Sequence, residues 1–502
     1  MIGEGELQGR TLTTGASRDD VSGAQLKAGA LTLRDSTVMA VASTAPAYSL
    51  AATMAAMVAV VGLASPAAIL VSFLPVLGIA IAYFYMNSTN PNCGASYTWL
   101  TQSISPWLGW FTGWVQTAAS LLFMVQAPAL AGANTLSFLN AIGWIDAATV
   151  NNPWVVALAG IAWLAVVTAM VIYGVQLAAR FQWLLLSIEY AVVIGFAILA
   201  FNKVLSLHPK GSQAFSWNWL NPFAIHDIGA LANGAVLAVF FFWGWDAAAN
   251  VNEETKDARF APGQAGIIGM FLLLFIFLFA SSAMQALVPQ DTIVNQGSNA
   301  MQYFARQIVP ALWSDLMLLA VLSSTVATVQ TTLLPAARVT LSMARDGVWP
   351  RAFLRIHPRF KTPWVGTLIL ALIATIGLLL TLFSPDQSTI LADLVGGIGV
   401  LVGFYYGITG LACAWYFRRL LRRDMVTLIF AGIVPFVSGL LLFAVGTGAV
   451  VTGEQQSGWI SVLPCLIALA LGIPFTLLAW WRNKAYFAYR PTAYDGLVTS
   501  DE

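Results

Sequence analysis

The sequence predicts an all-α integral membrane protein of twelve transmembrane helices, and three observations lead there. Of its 502 residues 59% are hydrophobic and 9% are charged, where a soluble domain carries about a quarter charged residues. The apolar residues collect into runs of about 20, the length that crosses a bilayer as a helix. The basic residues fall almost wholly between alternate runs.

Punctuation by Gly, Pro and polar residues places helices 1 to 12 near 33–61, 66–88, 106–140, 153–174, 180–202, 227–250, 263–288, 313–342, 363–384, 389–417, 426–451 and 459–481. Residues 1–32 are rich in Gly, Thr, Ser and Asp and carry neither the apolar core nor the small-residue cleavage site of a signal peptide, so they read as a disordered cytoplasmic tail. Residues 482–502 read the same way. With the N-terminus in the cytoplasm, every basic residue except Lys203, Lys210 and Arg306 falls on the cytoplasmic side. The positive-inside rule then puts both termini inside, requires an even number of helices and makes the chain a multi-pass protein of the cell membrane. None of the 23 basic residues is expected deep in the bilayer. The densest basic cluster, RVTLSMARDGVWPRAFLRIHPRFK, becomes the loop between helices 8 and 9, where Arg338 and Arg345 set topology and an inner gate.

Several functions are disfavoured on the same grounds. A membrane enzyme acting on lipid phosphates needs cations or metal-binding His near the bilayer, yet His208, His226 and His357 all fall in loops. Cys93, Cys413 and Cys465 lack metal-ligand or disulfide spacing and read as packing residues. The net charge of +1 gives no sign of a nucleic-acid partner. No catalytic residue, metal or cofactor is expected; the partners are a small molecule, a coupling proton and membrane lipid.

Two helices are interrupted. Helix 1 carries Pro46 near its centre, among Ser43, Thr44 and Ser49, and proline removes a backbone donor and crowds the preceding turn. Helix 6 carries FFFWGWD, Phe240 to Asp246, with Gly244 between two tryptophans, a residue set that ends one helix and starts another. The two helices run in opposite directions, the arrangement of an inverted-repeat transporter whose paired broken helices mark the binding site. Free amides near Ala47, Tyr48 and Ser49 would take an anionic group, and free carbonyls near Phe240 to Trp243 a cationic one. A zwitterion or an amine fits. Kinks made only for packing are the competing reading of either break taken alone.

FFFWGWDAAANVNEETKDARFAPGQA resembles helix 6 and the following loop of the amino acid–polyamine–organocation permeases. PNCGASYTW resembles their Pro, Gly-Gly, Tyr pattern, and AARVTLSMARDGVWP is similar to their Arg followed by Met-Ala-Arg-Asp-Gly-x-x-Pro. The resemblance covers residues 33 to 420. It implies the five-plus-five inverted-repeat fold shared with the bacterial leucine–sodium symporter: a first repeat over 33–202, an extracellular loop over 203–226, a second repeat over 227–420, and helices 11 and 12 over 421–481. The family's usual Gly-Ser-Gly-Ile in helix 1, whose amides hold the substrate carboxylate, is Pro46-Ala47-Tyr48-Ser49 here; members resembling putrescine importers also carry Ala-Pro at this point. Glu189 in helix 5 aligns with a position where many members have a lysine in place of a sodium ion.

The candidate substrate site therefore comprises Ser43, Thr44, Ala45, Pro46, Ala47, Tyr48 and Ser49 from helix 1 and Phe240, Phe241, Phe242, Trp243, Gly244, Trp245 and Asp246 from helix 6. Asp246 either caps the second half of helix 6 or also faces a substrate ammonium. Glu189 is the lone carboxylate well inside helix 5, and so expensive a charge in the bilayer reads as a proton-binding residue or a cation ligand. The resemblance places Thr325 and Thr328 at the other half of that site, although hydroxyls bonding their own helix are the plainer reading. Gln116 and Gln126 are weaker candidates for the cavity wall, and Asp35 and Asp393 read as helix caps. The expected function is a secondary active transporter that imports an amino acid or related amine by alternating access with proton coupling. The alternatives are a polyamine or organic-cation importer and, from another class, a channel or non-transporting sensor.

Overall fold

Helix 1 starts on a capping box: Thr32 Oγ1 accepts from the Asp35 amide while the Asp35 carboxylate accepts from the Thr32 amide, which satisfies donors that a helix start leaves open. The helix runs as α1, Leu33–Ser43, and stops because Ala45 precedes a proline. The ring disfavours a right-handed helical residue there, and Ala45 takes left-handed backbone angles, φ 47° and ψ 66°. Pro46 then opens α2, Pro46–Val61, at the first helical position, where its missing N–H costs nothing. Gly62, with φ 55°, ends α2.

The computed structural model describes residues 25–225, 227–384, 387–457 and 459–494. Regular structure among them is helical, with one isolated bridge. The further principal helices are α3, Ser65–Thr89; α4, Ser96–Ser103; α5, Pro106–Ala141; α6, Pro153–Tyr173; α7, Val175–Leu207; α8, Ile228–Phe240; α9, Ala247–Asn250; α10, Ala261–Leu287; α11, Leu316–Arg345; α12, Trp364–Thr381; α13, Gln387–Tyr416; α14, Val434–Ser457; and α15, Trp459–Arg482. Ten helical stretches among the described residues are long and apolar enough to cross a membrane, the first of them the 57-residue run Leu33–Thr89. This is a multi-pass membrane protein. α11 sits at its centre, buried along nearly its whole length and packed against α5, α7 and α1.

Three features depart from the sequence reading. The short helix α4 forms where only a loop was expected, anchored by Trp99, whose indole donates to the Asn90 carbonyl. Residues 25–32 and 482–494, both read as tail, are held in place: Leu31 N–H donates to the Glu254 carbonyl and its own carbonyl accepts from Lys256 N–H, while Asn483 Nδ2 donates to the Asp346 carbonyl and Tyr494 N–H to the Tyr416 carbonyl. Arg338, counted with the loop after helix 8, lies inside α11 and is fully buried within the protein. It is tolerated there because Glu254, equally buried, takes its guanidinium in a two-point pair, the geometry that suits an arginine to a carboxylate. Beside it Arg345 holds Glu253 at 2.9 Å. Burial alone would push the Glu253 carboxyl up, but Arg345 and the Cys93 amide more than offset that and hold it below its ordinary value. Asp35 caps as the third residue of α1. His226, the side chain of Asp393 and the outer parts of both tails lie outside the described residues.

Removing one partner of a buried pair leaves an uncompensated charge, at a cost of about 3–5 kcal/mol. Arg338→Met should therefore lower the thermal unfolding temperature of detergent-solubilised protein sharply, and Arg338→Met combined with Glu254→Gln should recover much of the loss. Equal destabilisation by the single and the double variant would show that the pair is not what holds α11 to the loop after α9.

Candidate functional site

The two interruptions meet. In helix 6, α8 ends at Phe240 and α9 begins at Ala247; between them Gly244 has φ 110°. A methyl group built there would stand 2.5 Å from the Ser43 carbonyl oxygen. Glycine is required twice over, by its backbone angle and by the closeness of the opposite break.

At the head of α2 the amides are all taken. Pro46 has none. Ala47 N–H donates to Glu189 Oε1 at 2.7 Å, Tyr48 N–H to Ser324 Oγ at 3.3 Å, and Ser49 N–H to the Ala45 carbonyl at 2.7 Å. The expectation of free amides near Ala47, Tyr48 and Ser49 is thus overturned: side chains of α7 and α11 reach across and cap a helix that its own sequence leaves uncapped. Ser324 Oγ also donates to Glu189 Oε1, at 2.9 Å. Glu189 is completely buried, and no group among the described residues bonds its Oε2. Thr328 Oγ1 shares its proton between the Ala42 carbonyl of α1 at 3.0 Å and the Ser324 carbonyl of its own helix at 2.9 Å, whereas Thr325 Oγ1 donates within its own helix, to Val321. Ser43 and Thr44 likewise turn their hydroxyls back on α1 carbonyls, and Ser49 its hydroxyl on the Thr44 carbonyl.

Asp246 makes no side-chain capping bond to α9, which corrects the capping reading. Its carboxylate instead accepts from Tyr406 at 2.8 Å, Tyr405 at 3.2 Å and, more weakly, Gln116 Nε2 at 3.5 Å. Tyr405 also accepts from the Trp243 indole, and Tyr406 from the Gly244 amide. Among the described residues, both carboxyl groups are bonded only by hydroxyls and amides. The rings sort into three groups. Tyr48, Phe123, Phe240 and Trp243 meet with centroids 5.4–6.5 Å apart, and Trp245 packs with Tyr83 and Tyr406. Phe241 and Phe242 turn away to Phe277. Gln126 accepts from the Tyr48 hydroxyl at 3.0 Å.

Two buried carboxyl groups thus lie beside the two breaks, Glu189 on the unbroken α7 and Asp246 between α8 and α9. The family described as "Amino acid permease" matches residues 31–473. The chain belongs to that family. Over 356 residues, 68% of this permease and 71% of the other chain, it is 26% identical to the low-affinity putrescine importer PlaP of Escherichia coli. It is 25% identical to the human large neutral amino acids transporter small subunit 2 over 443 residues, 84% and 75% of the two chains. It is also 25% identical to the branched-chain amino acid permease BcaP of Bacillus subtilis over 416 residues, 80% and 83% of the two.

Sequence reasoning missed Ser324, Tyr405 and Tyr406 in this permease. Ser324 sits one residue from Thr325, and only helix rotation decides which hydroxyl faces α2. The tyrosine pair had a signal: two adjacent hydroxyls in GFYYGITG, mid-membrane, must find buried partners.

Gly244→Ala should cost at least the roughly 1–3 kcal/mol of a strained backbone, seen as a lower unfolding temperature, and should abolish uptake by forcing the breaks apart. Wild-type uptake by Gly244→Ala would mean that the contact with Ser43 is dispensable.

Proposed function

We propose that this permease is a secondary active transporter that imports an amino acid or related amine, coupled to protons, by alternating access. In this reading helix 1 (α1 and α2) and helix 6 (α8 and α9) each count as one of twelve crossings, both termini are cytoplasmic, and the end holding Arg338 and Arg345 is the inner gate. The observation that carries it is Glu189, whose single carboxyl joins α7 to the break in helix 1 and to Ser324 of α11.

As a carboxylate, Glu189 faces the positive end of α2 and binds it strongly, since charge-assisted hydrogen bonds are the strong ones. A proton arriving on Oε2 removes that charge while Oε1 still accepts, so the bond to Ala47 weakens without being lost. α2 is then freer to move against α7 and α11. Release of the proton restores the grip. Coupling follows because the strength of this one contact depends on both protonation and the position of α2, two states that a proton can bias. Asp246, with Tyr405 and Tyr406, supplies the anchor for the substrate's ammonium, which displaces part of the hydroxyl shell.

Glu189→Gln keeps an oxygen acceptor for Ala47 but cannot exchange a proton. Substrate binding should persist, whereas accumulation in proteoliposomes should no longer follow an imposed proton gradient; undiminished proton-driven accumulation would end this assignment. Asp246→Asn should weaken binding of amines by about 1.5–3 kcal/mol, the worth of a hydrogen bond to a charged group. Isothermal titration with unchanged affinity for every amine would remove Asp246 from the substrate's contacts.

A further inference from the structure

We infer that Glu189 occupies the place a substrate carboxylate would need, so that this permease selects amines without a carboxylate over the amino acids they derive from. The inference rests on the transport reading above and narrows its substrate class.

It follows from the donors at the head of α2. A carboxylate held at a helix start in the membrane needs backbone N–H groups pointing at it. Here Pro46 offers none, Ser49 is bonded back to Ala45, and Ala47 and Tyr48 are occupied by Glu189 and Ser324. An incoming carboxylate would have to expel a protein carboxyl from Ala47 and leave it buried without its donor, beside a second anion. Among the described residues, no lysine or arginine bonds Glu189 or Asp246 to offset an added negative charge; their partners are hydroxyls and amides. The rest of the site suits a cation. The Asp246 carboxyl group is wrapped by tyrosine hydroxyls that an ammonium group can displace, and Tyr405 also joins it to the indole of Trp243, part of an aromatic cluster with Tyr48, Phe123 and Phe240, a setting that favours cations.

Matched pairs that differ only by the carboxylate test this directly: putrescine with ornithine, and cadaverine with lysine, titrated onto purified full-length protein. The wild type should bind each amine about ten- to a hundred-fold more tightly than its amino acid, the range expected when a charged group goes unpaired. Glu189→Ala exposes the Ala47 amide and should shrink that ratio towards one by improving the amino acid, and Ser324→Ala, which exposes the Tyr48 amide, should act in the same direction. Glu189→Gln keeps an oxygen on Ala47 and should keep the preference. Amino acids binding the wild type as tightly as their amines would overturn the inference while leaving the transport reading intact, as would an unchanged ratio in both alanine variants. Binding of neither member of either pair, nor of any neutral amino acid, would overturn the transport reading and the inference with it. Should Glu189→Ala not fold, the wild-type ratio and Ser324→Ala still decide.

Discussion

An amide at the start of a helix inside a membrane has no water to bond, and the rest of this molecule's centre is arranged around that constraint. Pro46 forces a helix start in mid-membrane, which creates unpaired donors at Ala47 and Tyr48. They are met by Glu189 and Ser324, on helices far away in sequence. One proline thus makes α2 depend on α7 and α11 for its completion. A helix capped by its own preceding residue could move freely as a unit; one capped from neighbouring helices is tied to them by bonds whose strength a proton can change.

Helix 6 meets the same constraint differently. Its break leaves the Gly244 amide, which is taken by Tyr406, and the same hydroxyl donates to Asp246. Tyr405 repeats the pattern with the Trp243 indole on one side and Asp246 on the other. The two hydroxyls act as adaptors between a donor and an acceptor that both need partners. A hydroxyl rotates at little cost, so the shell around Asp246 can give way to an ammonium without leaving Gly244 or Trp243 stranded.

Much of this was legible in the sequence. Pro46 and the FFFWGWD stretch located both breaks, because proline and glycine act locally and need no partner to show their effect. Glu189 was conspicuous as a lone carboxylate in an apolar helix. What it touches was not legible, since the contact joins residues separated by most of the first half of the chain, and so the amides of helix 1 were read as open when they are filled. Asp246 was read as a possible cap from its position before α9; with φ −67° and ψ −9° it is already in helical geometry, its carboxylate bonds the tyrosines, and the capping reading fails. Arg338 was counted with the loop because a buried guanidinium makes sense only once Glu254 is seen beside it.

The charged pairs and the hydroxyl network stand in contrast, and the contrast bears on how the molecule could open. Arg338 with Glu254 and Arg345 with Glu253 lie at the end of α11, whereas the middle of the bundle holds its carboxyl groups with neutral donors. A buried ion pair gains Coulomb energy but has given up the hydration of both ions, and the two terms are close in size. Parting such a pair in a dry interior is prohibitive. Parting it as water enters returns the hydration and costs little. Full charges therefore suit a contact that opens to water as a unit, and neutral hydroxyls suit a site that must exchange one partner for another while staying dry. The distribution of charge along α11 separates the two tasks: Ser324 and Thr328, near the breaks, carry no charge, and the arginines come only towards its end.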